Sequence, residues 1–249
     1  MKFYKTKTQF ISFVIPCFNC EKFIKKNIFK LVKNLKKKRI NYEIILVNDG
    51  SEDKTKLIIN NLKSSFNNLR IFENKVNKGK SYSVLYGIKK TKGRKIIIID
   101  CDLPYFLYLN KLIEMINKYK LVIVNRRDKK SQLILKNLSL YQILRYLIGL
   151  IISYVNILFF GIIAGDTQAG LKGFHKSRDF LKHKFISKYF FFDLELILWF
   201  QKKNILPKYI PVKFTIPDKS TIKFLNVRKN IKILKELFKI ITNSLLKVK

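Results

Sequence analysis

Two carboxylates, Asp100 and Asp102, directly follow a run of four isoleucines at 96–99. Such a run is typical of a strand buried on both faces of a parallel sheet. Residues two apart on an extended chain point the same way, so both carboxylates can face one ligand at the sheet's carboxyl edge. A divalent cation that carries a diphosphate would suit this pair of carboxylates, because Mg²⁺ and Mn²⁺ prefer carboxylate and phosphate oxygens. The alternative is a solvated turn, with Pro104 as the stop signal.

Strands alternate with helices along the first half of the chain, which indicates a mostly parallel α/β sheet. No internal repeat or low-complexity linker interrupts this pattern, so one nucleotide-binding-type domain is expected over about residues 8–128. Strands are predicted at 10–16, 43–48, 69–73, 96–99 and 121–125, and helices at 21–37, 54–65, 81–91 and 108–119.

The turn after the second predicted strand begins with Asp49 and Gly50. Asp49 lies at the strand edge, where it can accept a hydrogen bond from a base or a ribose, whereas Ser51 and Asp53 are better explained as helix caps. The glycine fingerprint of dinucleotide-binding folds is absent from the first turn, which argues against a nicotinamide dehydrogenase. A nucleotide held by carboxylates and a metal, without a glycine cradle, points to a nucleotide-sugar enzyme.

The formal charge is +36, from 52 Lys and Arg residues against 16 Asp and Glu residues. A basic excess predicts attraction to polyanions such as nucleic acid, an anionic membrane surface or phosphorylated substrates. Genome bias is an equal explanation, since Lys, Asn, Ile and Phe all have AT-rich codons. A basic nucleic-acid-binding protein is the rival from another class, but no recognition motif is found and nucleic acid is not expected as a partner.

Three cysteines do not make a disulfide framework, and residues 1–8 do not read as a signal peptide, so a cytoplasmic setting is expected. Cys17 and Cys20 have the spacing of a zinc half-site or a redox pair. Neither a second ligand pair nor a thioredoxin-like context accompanies them, so neither function is predicted.

A segment of 19 residues without a charge, at 146–164, reaches the length of a membrane span. Ser153 and Asn156 fall near its middle, so an element lying at the bilayer interface is favoured over a span, and a buried core helix is the third option. Near the C-terminus, apolar residues at steps of three and four predict a helix that either rests on an anionic membrane or packs on the domain. They are Val227, Ile231, Leu234, Phe238, Ile241 and Leu245, flanked by Arg228, Lys232, Lys235 and Lys239.

Six motifs in order along residues 10–200 resemble glycosyltransferase family 2. The last two resemble the branch that contains dolichyl-phosphate β-glucosyltransferases and other polyprenyl-phosphate glycosyltransferases. The motifs are Val14-Ile15-Pro16-x-x-Asn19-x-Glu21, Val47-Asn48-Asp49-Gly50-Ser51-Glu52-Asp53-Lys54-Thr55, Asn77-Lys78-Gly79-Lys80, Asp100-Cys101-Asp102-Leu103, Asp166-Thr167-Gln168-Ala169-Gly170-Leu171-Lys172 and Phe192-Asp193-Leu194-Glu195-Leu196.

The resemblance implies a GT-A fold, an inverting transfer of a hexose from a nucleoside-diphosphate sugar, and a Mg²⁺ or Mn²⁺ cofactor. It favours UDP-glucose as donor and a polyprenyl or dolichyl phosphate as acceptor, at the cytoplasmic face of a membrane. We expect a GT-A domain over 1–205, with its apolar segment at 138–164, and a C-terminal strand and basic amphipathic helix over 206–249.

By position, the resemblance also implies site residues. Asn48 departs from the family pattern in place of an acid, and Leu140 stands where arginine is common, which makes Arg145 the substitute. The residues are Pro16, Asn19, Glu21 and Asp49 at the nucleoside; Lys78 near the diphosphate; Asp100 and Asp102 at the metal; Arg126 near the donor and acceptor phosphates; Arg145, Asp166, Gln168 and Lys172 near the acceptor or sugar; and Asp193.

The acceptor decides the mechanism that we expect. A lipid phosphate is already ionised near neutral pH and could attack the anomeric carbon without a general base. Asp102 and Arg126 would then neutralise the leaving diphosphate. A sugar hydroxyl, as in surface polysaccharide synthesis, would instead need a base, for which Asp193 or Glu195 is the candidate.

Overall fold

The computed structural model of the protein describes residues 10–134, 138–162, 166–216 and 227–246. Nine strands and eight α-helices lie within these ranges. The strands are β1 Ile11–Cys17, β2 Tyr42–Asp49, β3 Leu69–Asn74, β4 Lys95–Ile99, β5 Leu121–Asn125, β6 Gln132–Leu133, β7 Leu171–His175, β8 Lys208–Pro211 and β9 Lys213–Phe214. The helices are α1 Ile24–Lys37, α2 Thr55–Ser65, α3 Lys80–Lys90, α4 Leu109–Met115, α5 Leu140–Phe160, α6 Arg178–Lys182, α7 Phe192–Gln201 and α8 Val227–Leu246.

The described residues form two compact units, of which the first comprises residues 10–106 together with Gly170–His183. Its strands lie in the order β3-β2-β1-β4-β7, and the first four run parallel while β7 pairs antiparallel to β4. The β-branched side chains of β1, β2 and β4 are almost wholly buried. Burial of continuous apolar strands on both faces is what a parallel sheet covered by helices requires.

The second unit comprises Leu107–Ala169 and the described residues from Lys184 onward. In it β5 pairs parallel with β8, and β6 pairs parallel with β9. Because β8 and β9 belong to this unit together with α5, the structure groups residues differently from the predicted division at residue 205. That division stays a prediction.

The mostly parallel sheet with helices around it is confirmed, and two helix boundaries differ for identifiable reasons. The first helix begins at Ile24 rather than residue 21, because residues 21–23 form a turn in which the amides of Phe23 and Ile24 both donate to the carbonyl of Cys20. The helix predicted over 108–119 ends at Met115, after which the amides of Asn117 and Lys118 bond three residues back in tighter turns.

Candidate active site

The loops that follow β1 and β2 are interlocked at the carboxyl edge of the first unit's sheet. Asn19 donates its amide to Ser51 Oγ at 3.0 Å, and its own Oδ1 accepts the amide of Glu52 at 2.9 Å. Glu21 likewise donates its amide to Asp53 and accepts the amide of Lys54. The side chains of Asn19 and Glu21, predicted at the nucleoside, therefore shape this edge by fixing one loop on the other. Pro16 lies in β1, opposite Val47 of β2.

Asp49 is buried and holds the next loop of the chain. Its Oδ1 accepts hydrogen bonds from Asn74 Nδ2 at 2.8 Å and from the amide of Lys78 at 3.0 Å, and its Oδ2 accepts the amide of Gly79 at 2.9 Å. The predicted bond from Asp49 to a base or ribose stays a prediction, but the carboxylate already fixes the backbone beneath Lys78. The Lys78 side chain is exposed and lies over the Tyr82 ring, 4.6 Å from its centroid.

Gly50 lets the loop after β2 approach the loop after β3 closely. Its φ of +66° is in the left-handed region, and a Cβ at this position would lie 2.5 Å from the carbonyl carbon of Val76. In the turn before it, the buried Asn48 accepts the amide of Ser51 through Oδ1. Its Nδ2 has no acceptor among the residues that the structure describes. An acid at position 48 could not supply this donor, so the departure from the family pattern changes the chemistry of the strand edge.

Asp100 and Asp102 lie in the turn that follows β4, as the sequence predicts. Asp100 is half-buried, and its Oδ1 lies 2.7 Å from Lys80 Nζ at the start of α3. Asp102 is exposed. Asp100 also donates its amide to the carbonyl of Gly170, which extends the antiparallel pairing of β4 with β7. The neighbouring strand thus fixes the backbone that carries the first of the two carboxylates.

Gly170 also sets the position of the Asp100 side chain. A Cβ on Gly170 would lie 2.3 Å from Asp100 Oδ2 and 2.8 Å from its Cγ. We predict that Gly170→Ala leaves the fold intact, because a carboxylate can rotate away, but lowers turnover by about ten- to a hundredfold, since displaced ligand groups cost that much. Steady-state kinetics with circular dichroism checks this. Wild-type turnover in the folded variant would contradict a role for the Asp100 position.

The two carboxylates suit a hard divalent cation by their donor chemistry. In the described ranges, no group of three or more His, Cys, Asp or Glu side chains is arranged to hold a metal ion. Asp100 and Asp102 would therefore supply only part of a coordination shell, and diphosphate oxygens and water would complete it, as is common for Mg²⁺. Asp100 already attracts one cation, the Lys80 ammonium.

The three cysteines of the chain lie together beside this edge, although their sequence spacing suggests only the pair Cys17 and Cys20. All three are free; the Cys17 thiol donates to the carbonyl of Ile15, and the Cys20 sulfur accepts the Thr55 hydroxyl at 3.7 Å. Hydrogen bonds from Cys101 and Cys17 lower the pKa of the Cys20 thiol to about 4. The cluster packs the turn before Asp102 against the loop after β1.

In the second unit, Arg126 and Asp166 form a bidentate ion pair. Arg126 Nε lies 2.9 Å from Asp166 Oδ2 and its Nη2 lies 2.8 Å from Oδ1, while the Arg126 amide also donates to Oδ2. The Asp166 side chain is 2% exposed. The sequence placed these two residues near phosphates and the acceptor. The structure joins them to each other, so the Arg126 guanidinium already holds a carboxylate by the geometry that would bind a phosphate.

Arg127, which the motifs do not single out, is oriented differently. Its guanidinium carbon lies 4.7 Å from the centroid of the Tyr146 ring on α5, a cation–π contact. An Nη2 atom lies 3.0 Å from the Cβ position of Gly149. Its Nε is buried and has no acceptor among the described residues. The sequence could not separate Arg127 from Arg126, because nothing in it shows which of two neighbouring arginines forms an ion pair with a carboxylate.

Asp193 and Glu195 lie in the first turn of α7, and both are buried. Glu195 accepts the amides of Ile186 and Ser187 at 2.9 and 2.7 Å, so it braces the segment before the helix. Burial raises the pKa of Glu195 despite these bonds. Both oxygens of Glu195 are thus engaged by the segment before the helix.

The other predicted acceptor or sugar residues lie on three different elements. Lys172 is buried on β7, opposite Ile98 of β4. Gln168 donates to Thr167 Oγ1, and Arg145 is half-buried in the second turn of α5. Their roles stay predictions.

Helix α5 has a polar inner face and an apolar outer face. Ser139 and Gln142 form a capping box at its start, and Gly161 ends it. On the inner face, Gln142 donates to the carbonyl of Ile216 and Asn156 donates to Thr167 Oγ1. Its outer residues are exposed, namely Leu140, Ile143, Leu144, Leu147, Ile148, Ile151, Tyr154, Ile157, Leu158 and Phe159. In the described ranges it is the one helix long and apolar enough to cross a membrane, with a mean hydropathy of 2.0.

Helix α8 contacts α5 and exposes a second apolar stripe. Ile231, Leu234 and Phe238 are 45%, 64% and 67% exposed, while Glu236 and Ile240 are buried. These three members of the predicted stripe therefore face outward, while Ile241 is half-buried. Ile163 and Ala164, and the side chains of Val227, Arg228 and Leu245, lie outside what the structure describes.

Comparison with known proteins assigns this architecture to a family. A family model described as Glycosyl transferase family 2 matches residues 12–163. Dolichyl-phosphate beta-glucosyltransferases from Trichomonas vaginalis and Dictyostelium discoideum are 25% and 27% identical to the chain over 229 residues, which is 86% of this chain and 68% of each relative.

A solved structure gives the fold. Glucosyl-3-phosphoglycerate synthase from Mycobacterium tuberculosis, in complex with Mn²⁺, UDP-glucose and glycerol 3-phosphate, superposes with a TM-score of 0.65 at 15% identity, covering 93% of this chain and 79% of the other. The likeness confirms the expected GT-A fold. On the match of the family model to more than half of its length, the chain belongs to glycosyl transferase family 2.

Proposed function

We propose that this glycosyltransferase moves a hexose, with glucose preferred, from a nucleoside-diphosphate sugar to a polyprenyl or dolichyl phosphate, with inversion at the anomeric carbon. The observation that carries the proposal is the combination of an exposed apolar helix, α5, with the Arg127 guanidinium resting on one of its rings. A lipid phosphate needs an apolar surface for its chain and a cation for its head group. This surface and this cation lie on one compact unit.

Two findings support the donor. The solved structure named above binds UDP-glucose and Mn²⁺, and the two relatives are named as glucosyltransferases. In this chain, Asp100 and Asp102 at the sheet edge would hold a divalent cation together with diphosphate oxygens, and the cation would neutralise charge on the leaving group. Lys78 and Lys80 bring further positive charge to the same edge, within the first unit.

The reaction is a single displacement. A phosphate oxygen of the acceptor forms a bond to the anomeric carbon while the bond from that carbon to the diphosphate breaks, and the nucleoside diphosphate leaves with the electron pair. The acceptor dianion needs no proton removed, because the second pKa of a phosphate monoester is about 6. We assign Arg127 to the acceptor phosphate, since its stacked, planar guanidinium can offer paired donors. Arg126 holds Asp166 and fixes the strand end from which Arg127 projects.

We place α5 and α8 at the surface of an anionic membrane, on its cytoplasmic side. A helix of 21 residues is about 31 Å long, which would match a bilayer core. However, Gln142, Ser153 and Asn156 face protein rather than lipid. A helix with one face on protein and an apolar outer face favours an interfacial position over a span.

Membrane binding is predicted to be peripheral and charge-assisted. Lys235 and Lys239 are exposed beside the apolar stripe of α8, and each contributes about 1 kcal/mol of attraction near an anionic surface. Replacing both with Gln should therefore weaken binding to phosphatidylserine vesicles by about 30-fold, with little effect on phosphatidylcholine vesicles. Flotation measures both. Protein that resists high salt and carbonate and leaves membranes only in detergent would contradict the interfacial position.

The function itself is tested by transfer assays with purified protein and a short polyprenyl phosphate. A panel of nucleotide sugars, with and without Mg²⁺ or Mn²⁺, identifies the donor and the metal dependence. We expect UDP-glucose with a divalent cation to give polyprenyl-phosphate glucose. Transfer to a water-soluble sugar, with the lipid phosphate inert, would overturn the proposal and assign the base role to Asp193.

A further inference from the structure

Glu236 lies on the inner face of α8 and accepts five hydrogen bonds from one segment of the chain. Its Oε1 accepts Ser187 Oγ and the amides of Phe190 and Phe191, both at 2.9 Å. Its Oε2 accepts the amides of Lys188 at 2.9 Å and Tyr189 at 2.7 Å. Four consecutive backbone amides and a hydroxyl thus converge on one carboxylate.

This carboxylate also serves as a cap for α7. Phe191 is the N-cap residue of α7 and makes no capping bond with its side chain. The amides at the start of a helix need acceptors, and a negative charge there is stabilising. Glu236 supplies both from a helix about 45 residues away in the sequence.

A second carboxylate holds the start of the same segment. Glu195 of α7 accepts the amides of Ile186 and Ser187. Residues 186–191 are therefore held between Glu195 and Glu236, and every amide from 186 to 191 donates to one of the two. The first turn of α7, which begins at once after the segment, carries Asp193.

The opposite face of the same turns of α8 is apolar and exposed. Leu234 and Phe238 flank Glu236 at two residues on either side and point outward. Lys232, one turn before Glu236, lies over the Tyr189 ring of the held segment, 5.8 Å from its centroid. One helix thus carries an outward apolar stripe and the inward group that fixes the start of α7.

We propose that Glu236 is a positioning residue for transfer: it fixes residues 187–191 and, through them, the first turn of α7 with Asp193. The family resemblance places Asp193 at the site, where it would orient the acceptor phosphate rather than act as a base, so that the C-terminal helix becomes part of the acceptor side. This rests on the proposed function for its kinetic consequence but not for its structural one. A neutral amide at position 236 would turn an NH₂ group toward amide donors on one side. The segment would lose its anchor while the buried apolar contacts of the unit remain.

The structural consequence is measured by hydrogen exchange on the full chain. In Glu236→Gln, the amides of residues 188–191 should exchange at least about tenfold faster, and those of β1 and β2 should not change. Ser187→Ala, which removes one donor of the five, should give a smaller increase. Glu236→Asp should restore part of the protection. Unchanged exchange at 188–191 in folded Glu236→Gln, or in folded Ser187→Ala should the Gln variant fail to fold, would overturn the proposal, whatever the enzyme's substrate.

The kinetic consequence is measured as a split between turnover and donor affinity. Displacing a group that orients a reactant costs about ten- to a hundredfold in rate, so Glu236→Gln should lower kcat for transfer to polyprenyl phosphate by that much. The KM for the nucleotide sugar should stay the same, and Glu236→Asp should recover most of kcat. Glu114→Gln, an exposed acid on α4, is the matched control.

The outcomes separate the two proposals. If the wild-type protein does not transfer to lipid phosphates, the proposed function fails, and hydrogen exchange still decides whether Glu236 holds the segment. If the wild type is active and faster exchange at 188–191 leaves kcat unchanged, the positioning role is wrong while the function stands.

Discussion

Asp102→Asn should lower transfer by about a hundred- to a thousandfold while the protein keeps its fold. Asp102 is exposed in the turn after β4, and Asn keeps the shape of the side chain while removing its charge. The proposed reaction develops negative charge on a leaving diphosphate, and a lost carboxylate weakens the cation that neutralises it. Calorimetric titration with UDP-glucose and Mn²⁺ should show weaker metal-dependent donor binding in the variant, together with the loss of turnover.

Glu52→Gln is the matched control for this prediction. Glu52 is another exposed acid at the loops of the first unit, and only its backbone amide is bound by Asn19. It should keep wild-type kinetics and donor affinity. Equal donor affinity and turnover in Asp102→Asn and the wild type would remove Asp102 from the metal and leaving-group site.

The fold of the first unit could be predicted because short stretches of its sequence determine its strands. Runs of Ile and Val fix β1, β2 and β4 without reference to distant residues, and in parallel strands the residues that follow each run meet at one edge. Asp49 and Asp100 were therefore placed correctly at that edge. The motif spacing in turn identified the family, which the comparisons confirm.

The contacts of the site could not be predicted, because they depend on distant residues. Arg126 finds Asp166 forty positions away, and Asp49 binds the loop at Lys78 and Gly79. The sequence does not show whether a polar residue in a motif binds a ligand or another part of the protein. Only the geometry shows that the carboxylate of Asp49 is already bound to backbone amides.

For helix α8, the sequence could not predict which face is buried and which is exposed. A stripe of apolar residues at helical spacing has the same pattern whether it faces a core or a membrane. The sequence could not have shown that Glu236 marks the inner face, since a lone acid in a lysine-rich helix predicts exposure. Five donors from a separate segment reverse that expectation. They also lower the pKa of Glu236 despite the cost of burying its charge.

Arg126→Ala should lower the stability of the protein, whereas Arg127→Ala should lower its transfer rate and leave stability unchanged. Removing Arg126 leaves the buried carboxylate of Asp166 without its bidentate partner. Breaking a buried pair in this way costs about 3–5 kcal/mol, and the partial exposure of Arg126 places the cost at the low end. A loss of about 3 kcal/mol should lower the melting temperature by about 6–12 °C in a chain of this size.

Arg127→Ala removes no such pair, since its guanidinium rests on the Tyr146 ring and makes no ion pair among the described residues. Its melting temperature should stay close to that of the wild type. Transfer to polyprenyl phosphate should fall by about a hundred- to a thousandfold, with donor affinity unchanged, because the acceptor phosphate loses its paired donors. Arg127→Lys should recover little, since an ammonium offers neither the planar fork nor the stacked face. Lys129→Ala, an exposed neighbour in the same loop, is the control.

Differential scanning fluorimetry and transfer kinetics on the three alanine variants decide between the arginines. A folded Arg126→Ala with lost transfer, beside an Arg127→Ala of wild-type activity, would return the phosphate role to Arg126 as the family resemblance implies. The Asp166 pair argues against that result. The Arg126 guanidinium already donates from Nε and Nη2 to one carboxylate. To bind a phosphate through the same edge, it would have to break this buried ion pair. In the proposed reaction, Arg127 would bind the phosphate without that cost, beside the apolar helix along which a lipid chain would lie.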